Sequence, residues 1–200
     1  MRYLSVDLET TGLNKEKCQV LEIAVVYDDT EHVQDITACP YFHCYIQHPM
    51  YCWEPTAYKM NQKLFEEILN AKTKIMDTLD LHQINFYKQW FGVLDSESVG
   101  YAVSRWLKAI NYEAPYIVAG KNYGSFDLGF LERFPHFTEK VKLPHRHLDP
   151  GSWFVTLEDI RIPDLKECKK RAKLPENIAH RALDDARDVI LLTRHHYNIK

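Results

Sequence analysis

Residues 4–13 read Leu-Ser-Val-Asp-Leu-Glu-Thr-Thr-Gly-Leu. Leu4, Val6 and Leu8 alternate with Ser5, Asp7 and Glu9, the period of two that marks a strand. Thr11-Gly12 then ends it. Side chains i and i+2 of a strand project to one face, so Asp7 and Glu9 stand side by side. Two carboxylates at ~4 Å repel by about 1 kcal/mol in water and by roughly 4 kcal/mol at an effective dielectric of 20. A partly buried pair therefore requires a proton, a basic partner or a cation. Hard divalent ions such as Mg2+ take one or two carboxylates together with substrate phosphate. A strand end with two solvated acids is the competing reading of a bare Asp-x-Glu.

Working outward, Val20 to Tyr27 (VLEIAVVY) is a second strand, near enough to the first for a hairpin. Tyr41 to Gln47 is a third. Thr56 to Met60 opens a helix that Leu64 to Lys74 continues or follows, whereas 75–92 is aromatic-rich and has no clear period. Residues 62–95 thus read as a helical and aromatic insertion without an assigned structure. Val99, Val103, Trp106, Leu107 and Ile110 form one apolar helical face between Ser96 and Tyr112, with Ser96 or Ser98 as its cap. Pro115 to Gly120 is a short buried strand, followed by a helix near Phe126 to Phe134. A strand near Arg146 to Leu148 precedes a helix over Asp164 to Ala172. Ala182, Ala186, Val189 and Thr193 share a face of the final helix, Ala182 to about His195. The pattern is one α/β domain over residues 1–200.

Two further clusters carry chemistry. Gly120-Lys-Asn-Tyr-Gly-Ser-Phe-Asp127 follows a strand and opens a helix, where ligand sites of α/β proteins lie. It matches neither phosphate-loop pattern, so a nucleotide loop is rejected. Asp127 gains from the helix dipole, which is also its purely structural explanation. His180-Arg-Ala-Leu-Asp-Asp-Ala-Arg-Asp188 sets a histidine suited to proton transfer ahead of three acids. Physical chemistry alone does not choose among Asp184, Asp185 and Asp188.

In order, Asp-Leu-Glu-Thr-Thr-Gly-Leu, then Asn-x-x-x-Phe-Asp, then His-x-x-x-x-Asp resembles the DEDDh 3′→5′ exonucleases, the group of polymerase proofreading domains, ribonuclease T and oligoribonuclease. The resemblance implies a ribonuclease-H-like fold, a mixed five-stranded sheet flanked by helices. It implies that Asp7, Glu9, Asp127 and Asp185 hold two divalent cations, Mg2+ or Mn2+, with His180 as the general base. The family places its last acid five residues after the histidine, which selects Asp185. Two such ions can activate water on one side of a phosphodiester and stabilise the leaving oxygen on the other. The implied partner is the 3′ end of single-stranded DNA or RNA, DNA slightly favoured, with nucleoside monophosphates released. Oligoribonuclease-like action on short RNA and a non-catalytic nucleic-acid- or partner-binding domain are the alternatives.

In the family, the backbone after the acid pair and the next apolar residue grip the terminal nucleotide; here these are Thr10, Thr11, Gly12 and Leu13. Tyr123 and Phe126 are either stacking partners of a base or core packing at a strand–helix junction, and Asn122 is expected as a turn or support. Ala57-x-x-x-Asn61 is similar to a substrate-contacting helix of the family, although Gln62 replaces its glycine, so Asn61 joins the expected contacts.

Charge and composition limit the rest. With 25 basic and 28 acidic residues the net charge is -3, which argues against coating long nucleic acid. No apolar run is long enough to span a membrane, and the start does not read as a signal peptide. Five cysteines without a Cys-x-x-Cys pair suit reduced thiols in a cytoplasmic setting. Cys39, His43, Cys44, His48 and Cys52 match no zinc spacing. His195-His196 is expected to be a solvated helix end. Between Arg161 and Arg181, seven Lys or Arg face three acids, readable as a solvated face or a backbone-contacting patch. The chain ending soon after the last motif suggests an autonomous enzyme; a polymerase partner or a homodimer is not legible.

Overall fold

The computed structural model describes residues 1–71, 88–176 and 180–199. Its centre is β1 (Arg2–Thr10), antiparallel to β2 (Val20–Asp29), which pairs antiparallel with β3 (Tyr41–Gln47). Helix α1 (Pro55–Asn70) follows, and β4 (Trp90–Asp95) then runs parallel to β3. Helix α2 (Val99–Ala109) leads to β5 (Val118–Ala119), parallel to β1. The remaining helices are α3 (Asp127–Leu131), α4 (Phe137–Lys140), α5 (Pro150–Phe154), α6 (Leu165–Arg171) and α7 (Ala182–His196). The sheet order is β4-β3-β2-β1-β5. This is the expected mixed, five-stranded α/β sheet with helices on both faces.

Each face of β1 has its own cover. Leu4, Val6 and Leu8 pack with Ile23, Val25, Phe42 and Ile46 beneath Val99, Val103, Trp106 and Leu107 of α2. The face that alternates as polar in sequence is not solvated at its start. Tyr3, Ala24 and Val26 meet Ala182, Ala186, Val189 and Ile190 of α7 there. The small side chains let the helix lie close, and Ser5 Oγ donates to the Ala186 carbonyl at 2.7 Å. Asp7 and Glu9 continue this same face, so they emerge where α7 begins.

Several expectations change. Of the two readings of 56–74, the continuous helix is the one observed, ending at Asn70, and Lys74 lies outside the described residues. Within the unassigned 62–95 segment, residues 62–70 belong to α1 and 90–95 form β4, while 72–87 lie outside the described residues. The Trp90 ring lies against Gly92, where an added Cβ would stand 2.6 Å from it, and stacks on Phe42 at 4.7 Å. The glycine breaks the alternation that would have revealed a strand. The strand expected at 146–148 is a single bridge, Ala119 to Leu148. The count of five strands holds, but β4 supplies the fifth. Neither Ser96 nor Ser98 caps α2 by its side chain; Asp95 Oδ1 accepts the Ser98 amide at 2.9 Å. His195 and His196 are exposed in the last turn of α7 as expected, with Trp153 stacked on His196 at 4.6 Å. Among the described residues, no helix is long and apolar enough to cross a membrane.

Candidate active site

Three segments bring the predicted acids together. Asp7 and Glu9, both half-buried, leave the α7 side of β1 opposite Ala24 and Glu22 of β2. Asp127 is the first residue of α3 and is buried. It is reached from β5 through a tight turn in which Asn122 takes a left-handed backbone (φ 61°) and its carbonyl accepts the Ser125 and Phe126 amides, both at 3.0 Å. Gly120 presses this turn onto β1: a Cβ there would lie 2.8 Å from the Val6 carbonyl oxygen. Asn122 therefore has the turn role expected of it. Asp185 sits buried in the first turn of α7, where its charge suits the helix dipole. His180 stands exposed just before that helix in a left-handed backbone (φ 48°).

Burial, with repulsion between neighbours added, raises every one of these carboxyl groups. Burial pushes Asp7 well above the ordinary range, and Asp127, Asp185, Glu9 and Glu22 push it further. Asp127 rises to about 8, chiefly by burial, with the Leu8 amide opposing and Glu9 adding. Glu9 rises to about 7 through burial, opposed by a hydrogen bond from Asn61. Asp185 also rises to about 7 through burial and its neighbour Asp188, opposed by Lys169. Oxygen or nitrogen ligand atoms of Glu9, His180 and Asp185 lie within 4.8 Å of one another. Buried Asp185 Oδ1 has no hydrogen-bond partner among the described residues. A clustered, self-repelling set of hard oxygen donors with an unpartnered oxygen fits a divalent cation.

The residue that sequence reasoning missed is Glu22. It is wholly buried. His43 Nε2 lies 2.6 Å from its Oε1, the Ala182 amide donates to Oε2 at 3.0 Å, and Arg181 Nε stands 3.4 Å from Oε2. Arg181 also reaches Glu67 Oε2 at 3.0 Å and donates to the Tyr45 hydroxyl. The signal was present: one glutamate inside the apolar run VLEIAVVY has to find partners. The same contact removes His43 from the Cys/His cluster at 39–52.

A cavity of about 580 Å³ opens on the acids, with Leu13, Met60 and Phe126 as its apolar wall. Leu13 and Phe126 thus lie where a nucleotide contact was expected. Thr10 and Thr11 are buried, and their hydroxyls are engaged: Thr10 Oγ1 donates to the Gly12 carbonyl at 2.7 Å, and Thr11 Oγ1 accepts the Gln19 amide at 2.9 Å. Gly12 packs on Glu54, whose carboxylate accepts the Leu13 and Asn14 amides at 3.0 and 3.3 Å. Two expected contacts are corrected. Tyr123 is fully buried, its hydroxyl unpartnered among the described residues, so it offers no ring to a base. Asn61 is buried and donates to the Thr10 carbonyl at 3.1 Å, bracing β1, while its neighbour Met60 meets the cavity.

The basic stretch 161–181 is in part a structural network. Arg171 forms two bonds to Asp159, at 2.6 and 2.7 Å, and Lys169 is bonded to Asp188.

No family model matches the sequence, and no curated protein matches it. Solved structures do match. E. coli exonuclease I in complex with a dT13 oligonucleotide superposes with a TM-score of 0.56 at 14% identity, over 96% of this chain and 40% of that one. The zinc-bound form of the same enzyme with single-stranded DNA gives 0.60 at 13% identity, over 98% and 40%. Exonuclease I from the moderately thermophilic Methylocaldum szegediense gives 0.61 at 13% identity, over 98% and 40%. This chain has the fold of that part of exonuclease I. It spans about 40% of the length of those proteins, and the ribonuclease-H-like class implied by the three motifs is its fold class.

Proposed function

We propose that this chain is a metal-dependent 3′→5′ exonuclease acting on single-stranded nucleic acid, DNA before RNA. The observation that carries the proposal is the convergence of Asp7, Glu9, Asp127 and Asp185, from three separate segments, on one cavity mouth beside His180. Buried carboxyl groups held above their ordinary range are unstable as a cluster of bare anions, and among the described residues no structural partner neutralises all of them. The preference for DNA is supported by the shared fold with a protein crystallised on single-stranded DNA.

Asp7, Glu9, Asp127 and Asp185 would hold the divalent ions. Bound there, such ions polarise the phosphoryl oxygens and lower the pKa of water. The chain's own residues do the remainder. Leu13, Met60 and Phe126 pack the sugar and base of the terminal nucleotide. His180 takes the proton from the attacking water, as its place outside the helix allows. The water oxygen bonds to phosphorus as the bond to the 3′-oxygen breaks and that oxygen takes a proton from solvent, leaving a nucleoside 5′-monophosphate and a strand one residue shorter with a free 3′-hydroxyl. The expressed chain is to be given 5′-labelled single-stranded DNA, duplex DNA and short RNA, each with Mg2+, Mn2+ or EDTA. A metal-dependent one-nucleotide ladder, strongest on single-stranded DNA, is the expected result. Binding without cleavage in every lane would contradict the proposal, and a stronger ladder on short RNA would reverse the substrate order.

A further inference from the structure

Two cavities meet at the acid cluster. Beside the one that holds Leu13, Met60 and Phe126, a second of about 840 Å³ shares Asp7, His180 and Asp185 with it. Lys121 lines both. Among the described residues it is also the one lysine or arginine lining the 580 Å³ cavity. Lys166 lines only the larger cavity, while Arg181 is paired with Glu22 and Glu67 and Lys169 with Asp188.

The ammonium of Lys121 is moored. Its side chain is 11% exposed, with Nζ 3.4 Å from Asp149 Oδ1 and donating to Asn122 Oδ1 at 2.9 Å. Asp149 is itself anchored, accepting the Gly151 amide at 2.7 Å and the Asn122 amide at 2.9 Å. Gly151 lies so close that a Cβ there would stand 2.9 Å from Nζ. The lysine therefore owes its position to Asp149 and Gly151 rather than to the four clustered acids. An ammonium has three N–H donors, and these two oxygens engage two of them. A fixed point charge with a donor to spare, on the wall of a cavity built around carboxylates, suits a phosphate.

We infer that Lys121 is a phosphate-contacting residue, donating to a non-bridging oxygen of the phosphate at the cleaved bond and of the nucleoside 5′-monophosphate left after cleavage. The inference rests on the exonuclease proposal for the identity of the substrate. Its test is calorimetric binding of thymidine 5′-monophosphate and of thymidine to the Mn2+-loaded protein. Lys121→Met is expected to weaken the monophosphate roughly 10- to 100-fold, the range of a hydrogen bond to a charged group, and to leave thymidine unchanged. Lys121→Arg should recover most of the loss. Gly151→Ala, which crowds the ammonium without removing it, should weaken the monophosphate in the same direction, so the test survives a poorly folding Lys121→Met. Equal monophosphate affinity in wild type, Lys121→Met and Gly151→Ala overturns the inference, as does an equal loss of thymidine. Strand shortening by the wild type is scored separately. Lys121-dependent monophosphate binding without strand shortening would overturn the exonuclease proposal alone, and shortening with unchanged monophosphate affinity would overturn the lysine's role alone.

Discussion

The Glu22 carboxylate accepts the Ala182 amide at 3.0 Å, so a residue of β2 caps the helix that carries Asp185. Arg181, at the cap position of α7, makes no side-chain cap bond of its own. Glu22 satisfies an orphan amide, pairs with Arg181 and meets His43, and thereby joins the sheet to the corner that holds His180. Removing it leaves two basic groups and an amide without their buried partner. Glu22→Ala should destabilise the fold by about 3–5 kcal/mol, read from denaturant unfolding. Glu22→Gln keeps the acceptor for Ala182 and should lose less. A Glu22→Ala protein as stable as wild type would show that the cap is dispensable.

The raised carboxyl groups make stability depend on pH. Glu9 and Asp185 titrate near 7 and Asp127 near 8 in the fold, against about 4 in an unfolded chain. Between those limits the native state binds more protons than the unfolded state, so their contribution falls as pH rises from about 4 to 8. The metal-free protein should therefore melt at a lower temperature at pH 8 than at pH 6. Mn2+ should raise Tm more at pH 8, where the ligands are ionised, than at pH 5. Thermal scans in EDTA and in Mn2+ across this range check both signs; a metal effect larger at pH 5 would contradict them.

His180→Ala should lower kcat by about 10²- to 10⁴-fold, the usual loss of a general base. Metal affinity by calorimetry should be largely kept, because four carboxylates remain. Loss of Mn2+ binding in that variant would make the histidine a ligand instead, which its position within 4.8 Å of the Glu9 and Asp185 ligand atoms makes a real contest.

Phe126 and Tyr123 part company in the fold, and their variants should as well. Phe126→Ala should reduce kcat/KM by about 5- to 160-fold, the worth of one stacked base at about 1–3 kcal/mol. Tyr123→Phe removes a buried hydroxyl that is unpartnered among the described residues, so activity should hold and stability should stay level or rise by about 1 kcal/mol. An activity loss confined to Tyr123→Phe would reverse the two assignments.

The Asp7 and Glu9 pair was legible from the strand repeat, whereas the roles of Asp127, His180 and Asp185 came from the resemblance to the DEDDh exonucleases. Asp7 and Glu9 share a face through the strand repeat, and the spacing from His180 to Asp185 places one before the helix and the other in its first turn. What resisted was whatever depends on distant partners. Glu22 looked like part of a strand because its meaning comes from Ala182 and Arg181, 160 residues away for the amide it caps. Tyr123 was misplaced because local sequence does not tell an inward ring from an outward one at a turn. Strand β4 was hidden by Gly92, whose missing side chain makes room for Trp90.

The most direct measurement is the digestion of 5′-labelled single-stranded DNA by wild type and Asp7→Asn, with Mg2+ or Mn2+ and with EDTA. Wild type should give a one-nucleotide ladder with metal and none with EDTA, and Asp7→Asn should give none in either. An Asp7→Asn protein that digests the strand like wild type would contradict the assignment of this site to the reaction.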